Sequence, residues 1–145
     1  MTRLERFARF FVVAVLVITA VLSLSSCGID KDEAKEDMLS FLEAVEAERF
    51  DDAKALLHPE LIEKTTDFAT AIHSLEERCG IDFSDGITIN KTVNMQYSLY
   101  NSDYNGSGYE LNFYAAVGEA DVYITLRVVE NNDGYGVYYF GVDNG

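Results

Sequence analysis

The chain reads as an α+β protein, with N-terminal helices packed on a curved, four-stranded antiparallel sheet. Two observations carry this. From Ala34 to Cys79 the apolar residues recur at helical steps of three and four, and from Ile87 onward they alternate with polar residues at a step of two. The change falls at Gly80 to Gly86, so helices come first and strands after, without the strand–helix alternation of a parallel sheet.

The first segment stands apart from this pattern. Arg3, Arg6 and Arg9 precede an apolar run from Phe10 to Leu22, interrupted only by Thr19, and the segment closes on Ser23, Leu24, Ser25, Ser26 and Cys27. About a dozen apolar residues is signal-peptide length, short of the ~20 that a spanning helix needs. An uncleaved anchor and an ordinary small-x-small cleavage site are the competing readings. Leu24-Ser25-Ser26-Cys27 resembles the lipobox of bacterial lipoproteins. That resemblance implies a signal peptide over residues 1–26, cleaved before Cys27, and acyl lipid (palmitate among it) on Cys27. Residues 27–29 would then be a short tether and 30–145 a single α+β domain. Two chains on one cysteine hold a protein at a membrane stably, where one does so only marginally. The expected location is the extracytoplasmic side of the cell membrane. Gly28 follows the cysteine, so the aspartate that tends to retain lipoproteins at an inner membrane is missing.

Charge narrows the partners. From Cys27 onward the chain holds 8 basic and 24 acidic residues, a net charge of −16. That balance argues against nucleic acid and against lying flat on anionic lipid, and suits a solvated surface outside the cell. With Cys27 lipidated, Cys79 has no partner for an intramolecular disulfide, and zinc–cysteine sites are excluded.

Each element has a local reason. Asp30 and Glu33 have capping-box spacing, and Ala34, Met38, Phe41, Leu42 and Val45 share one helical face, giving a first helix over 31–48. Asp51 is placed to cap a short second helix over 52–57, which ends at His58-Pro59. Pro59 fits the first turn of a third helix, whose face is Leu61, Thr65, Phe68, Ile72, Leu75 and Cys79, with Gly80 as C-cap and Ile81 as its apolar contact. Ile87, Ile89, Val93, Met95, Tyr97 and Leu99 then alternate with polar residues as a long half-buried strand. Lys91 breaks its apolar side, at a bulge or by snorkelling from the edge. A polar loop over 101–108 leads to a second strand over 109–117, and Gly118-Glu119 makes a two-residue hairpin turn with glycine first. The third strand covers 120–130, Asn131 to Gly134 turns again, and the fourth covers 135–142.

The stretch from Phe41 to Ala53, the following His58-Pro59-Glu60-Leu61, and the ending Asp133-Gly134-Tyr135-Gly136-Val137-Tyr138 resemble small secreted members of the nuclear transport factor 2-like family. That resemblance implies a cone-like helix-on-sheet fold, with a cystatin-like domain as the other such layout. The family's enzymes use a tyrosine and acidic groups in the cone, and none of their local motifs is present. No catalytic residue, cofactor or metal ligand carries over.

The remaining candidates come from residue chemistry. His58 and His73 lack a partner at metal-ligand spacing, and Cys79 continues an apolar face as a packed thiol. Asn101 to Gly106 has calcium-loop spacing of oxygens, but Asn101 and Asn112 stand where such a loop wants aspartate and glutamate. All nine tyrosines lie in the strand region. Tyr97, Tyr109, Phe113, Tyr114, Tyr123 and Tyr138 are therefore the candidate pocket or interaction aromatics. Tyr114 and Tyr123 fall opposite the main apolar face of their strands. The expectation is a non-enzymatic module for an unidentified small-molecule or protein partner. A small-molecule enzyme with a tyrosine/carboxylate pocket is the alternative.

Overall fold

A computed structural model describes residues 28–145; the signal-peptide and lipobox readings, with Cys27, lie outside the described residues. The α+β expectation holds. Among the described residues four helices precede a four-stranded antiparallel sheet in the order β1-β2-β3-β4. The helices are α1 (Lys31–Glu46), α2 (Phe50–Ala55), α3 (Pro59–Lys64) and α4 (Phe68–Cys79). A 3-10 turn over Phe83–Asp85 leads into β1 (Ile87–Asn101), β2 (Gly106–Val117), β3 (Ala120–Asn131) and β4 (Gly134–Asn144). No described helix is long and apolar enough to cross a membrane.

Helix α1 starts where its cap dictates. The Asp30 carboxylate accepts from the backbone N–H of Asp32 at 2.9 Å and of Glu33 at 3.1 Å. Ala34, Met38, Phe41, Leu42, Ala44 and Val45 are buried against the sheet, and full burial of each large side chain contributes about 1.5–3 kcal/mol. The helix ends two residues earlier than its periodicity suggests, because Glu48 turns left-handed (φ 54°) and Arg49 N–H bonds back to Ala44.

Two helix boundaries differ from expectation. Asp51 does not cap α2; Arg49 holds the N-cap position without a side-chain bond, and its guanidinium pairs with Asp52 at 2.9 Å instead. The expected third helix is two helices. Thr65 turns extended, and Asp67 caps a new start by accepting from Thr70 N–H at 3.0 Å. The apolar period ran through this break because both pieces turn their apolar sides to the same region of β4. At the far end Gly80 (φ 67°) caps as read, and Ile81 N–H bonds to Glu76 C=O at 3.0 Å.

The sheet closes the core with Tyr109, Leu111, Phe113, Ala115 and Val117 of β2 and Val122, Ile124, Leu126 and Val128 of β3, all nearly fully buried. Strand β1 departs from the half-buried reading: Ile89, Val93, Met95, Tyr97, Leu99 and Tyr100 are all exposed, Leu99 by 65%. Its alternation is real, yet helix α1 meets it through Glu46 at Ile87 and Lys31 at Tyr97 and leaves these apolar side chains exposed. Lys91 does sit at a bulge. The register slips between Ile89 and Lys91 and again between Thr92 and Asn94, which sets Lys91 beside Tyr114 and turns Thr92 toward Phe113. The turn to β2 is also tighter than the expected loop, since β1 runs to Asn101 and β2 resumes at Gly106.

Candidate functional site: a groove between helices α3, α4 and strand β4

A cavity of about 610 Å³ lies between the two short helices and β4. Leu61 and Thr65 come from α3 and its cap, Phe68, Ala71, Ile72, Ser74, Leu75 and Arg78 from α4, and Val137 to Gly141 from β4, with Phe41 and Leu57 beneath. The lining is mostly apolar and aromatic. Arg78 is its one charged side chain, with an Nη–H donating to Val142 C=O at 3.4 Å. Thr65, Ser74 and Tyr138 are its hydroxyl-bearing residues, while the Tyr139 ring turns to the outer sheet face beside Arg127. Apolar walls with a few converging polar groups are the usual make-up of a ligand site.

The rim is held by Tyr138. Its hydroxyl donates to Glu60 Oε2 at 3.0 Å, which raises the Tyr138 pKa and lowers that of Glu60. Both shifts favour the phenol and the carboxylate as they stand. Behind the rim His58 is fully buried, and both ring nitrogens are engaged. Nδ1 accepts from Glu60 N–H at 3.3 Å, so Nε2 carries the proton and donates to Asn131 Oδ1 at 3.0 Å. Asn131 in turn donates to Tyr104 C=O at 2.9 Å. His58 thus joins the helical layer to the sheet and offers no free nitrogen for a ligand or a proton transfer.

The sequence-predicted aromatics do not converge. Of the six, only Tyr138 lines the groove. Tyr109 and Phe113 are core residues. Tyr97 lies at the surface, with Lys31 Nζ 4.2 Å from its ring centroid. Tyr114 and Tyr123 pair across β2 and β3 on the outer sheet face, their rings edge to face at 5.3 Å. Of the groove's main residues, the sequence does not single out Arg78 or Phe140 and marks Leu61, Phe68 and Leu75 only as a helix face. Their signal was present, as the apolar stripe of α4, but not the fact that β4 leaves part of that stripe uncovered.

Other candidates resolve into structure. His73 is exposed, and its Nδ1 lies 2.8 Å from Glu76 Oε2, a contact that raises its pKa. The Cys79 thiol is half-buried, 3.4 Å from Val142 C=O. In the turn after β1, Asn101 Oδ1 accepts from Asp103 N–H and Asn105 Oδ1 from the Tyr100 hydroxyl, both at 2.8 Å, so these oxygens serve the turn itself. Among the described residues no group of three or more His, Cys, Asp or Glu is placed to hold a metal ion.

On the outer sheet face Arg127 donates from Nε to Glu110 Oε2 at 2.8 Å, and Asn112 donates to the other Glu110 oxygen at 2.9 Å. Tyr104 packs over Gly108 and Tyr139 over Gly141, and both rings flank the Arg127 guanidinium. In the small cleft beside them, about 100 Å³, the charged lining groups Glu110 and Arg127 are thus already paired with each other. No family model matches this chain, and neither does any curated protein or any solved structure.

Proposed function

We propose that the chain is an extracytoplasmic lipoprotein, cut before Cys27 and held at the cell membrane by lipid on that residue. Its domain is a non-enzymatic binding module, with the helix-before-meander layout of nuclear transport factor 2-like and cystatin-like domains. Leu24-Ser25-Ser26-Cys27 supports the anchor, and the order of helices before a continuous meander supports the fold assignment. The observation that carries the binding role is the groove of about 610 Å³ between α3, α4 and β4. It suits a ligand with an apolar body and a small anionic or acceptor group directed at Arg78.

The alternative, a tyrosine/carboxylate enzyme, has one observation in its favour, the Tyr138–Glu60 pair at the rim. That pair is less apt for proton transfer than for positioning, because its shifts hold the proton on tyrosine. Decanoate titrated into isotopically labelled protein tests the binding role. Amide shifts should concentrate at Ala71, Leu75 and Phe140 and be lost in Leu75→Trp, which fills the groove. Shifts that ignore these residues, or persist unchanged in Leu75→Trp, would refute it.

A further inference from the structure

We infer that the uncovered face of β1 lies on the membrane surface, so that the domain has a fixed orientation on the bilayer. This rests on the lipoprotein reading and adds a second contact to it. Six exposed large apolar side chains, Ile89, Val93, Met95, Tyr97, Leu99 and Tyr100, are gathered on this one strand. Ile89, Met95 and Tyr97 pair with the inward-facing Ala115, Leu111 and Tyr109, so these three share the side of the sheet that the helices leave open, and exposed apolar groups on one face mark an interaction site.

The position of the anchor selects the occupant. Gly28, directly after the proposed lipidated cysteine, packs on this strand. A Cβ there would collide with the Tyr97 hydroxyl and stand 3.1 Å from Leu99 Cδ2, and φ is +114°, so only glycine fits comfortably. The described chain thus begins against Tyr97 and Leu99, one residue after the proposed anchor point. The strand itself is nearly uncharged, although Asp30, Asp32 and Glu33 lie exposed at the start of α1 beside it. The mature chain carries −16, yet no acidic residue lies between Asp85 and Asp103, and β1 itself holds one charge, that of Lys91. Lys31 sits over the Tyr97 ring, its Nζ 4.2 Å from the centroid. Tyrosines with a basic neighbour are the side chains found where lipid headgroups meet water. The chemistry also limits the depth. One edge of β1 is unpaired in the sheet, and its backbone groups must stay hydrated, so the strand rests among headgroups and the upper acyl chains.

The test uses lipidated full-length protein, extracted from membranes and reconstituted in phosphatidylethanolamine/phosphatidylglycerol vesicles containing brominated lipid. In a Cys79→Ser background, Met95→Cys and Leu99→Cys each receive a fluorophore, and Glu119→Cys serves as the control beyond the opposite end of the strand. All three positions are turn or surface sites, and circular dichroism verifies the fold. Labels at 95 and 99 should lose emission to the brominated lipid, and the label at 119 should not. Intact mass reports the lipid on Cys27 in the same samples. Lipidated protein with all three labels equally bright overturns this orientation while leaving the anchor standing. Protein without lipid on Cys27 overturns both. Protection of 95 and 99 that follows protein concentration, without lipid quenching, assigns the strand to a second copy and also overturns the membrane contact.

Discussion

Replacing His58 with alanine is expected to destabilise the domain by about 3.5 kcal/mol. The side chain is fully buried, and its ring meets Tyr138 edge to face at 5.2 Å. Truncation removes that packing and leaves a void, a loss of about 2 kcal/mol at a site that cannot fully collapse. The bond from Nε2 to Asn131 Oδ1, at 3.0 Å, contributes about 1 kcal/mol. The longer one from Glu60 N–H to Nδ1, at 3.3 Å, contributes about half as much. His58→Asn separates these contributions, since asparagine is a good N-cap and keeps an acceptor for Glu60 N–H. Urea unfolding followed by circular dichroism should give the order wild type, His58→Asn, His58→Ala. With a slope of about 1.5 kcal/mol per molar, the alanine variant should unfold roughly 2 M earlier. A loss below about 1 kcal/mol for alanine, or an asparagine variant no better than alanine, would refute the structural role of this histidine.

Three further changes follow from the same geometry. Gly136→Ala should cost about 3 kcal/mol in the same unfolding assay, because its Cβ would stand 2.5 Å from His58 N and 2.6 Å from Leu57 C, where Leu57 bridges to Val137. A near-neutral result would mean that the α2–α3 junction can retreat from β4. Asp67→Ala removes the cap that separates α4 from α3 and should cost about 1 kcal/mol, with amide exchange quickening first at Thr70. For His73 the folded-state pKa is raised above 6.5 by its bond to Glu76, so its stabilising contribution is complete below that value and is lost as pH rises through the folded pKa. The stability gap between wild type and His73→Ala should therefore be wider at pH 5 than at pH 9, and a gap independent of pH would contradict the pairing.

The parts of this fold that were legible in the sequence are those set by local chemistry. Asp30 as cap, Gly80 as left-handed stop and the Gly118-Glu119 turn each depend on a few neighbouring residues, and each occurs where read. The break at Thr65 to Asp67 was hidden because Leu61, Phe68, Ile72 and Leu75 keep one period across two helices that face the same strand. Exposure of β1 was hidden for a different reason. Alternation reveals which face of a strand is apolar, but not whether another layer covers it. The groove was least legible of all, being assembled from α4 and from β4, some sixty residues later, and it owes its volume to what these elements leave unfilled. The tyrosine count pointed to the strands as a whole and could not separate Tyr138, at the groove, from Tyr109 in the core.

The anchor is the claim on which location, tether and orientation all depend, and intact mass spectrometry of protein extracted from the membrane fraction tests it most directly. The expected species begins at Cys27 and carries diacylglyceryl with palmitate-class chains, and Cys27→Ser should abolish both the added mass and the processing. A chain that still contains residues 1–26, or one that begins at residue 27 without lipid, would contradict the account.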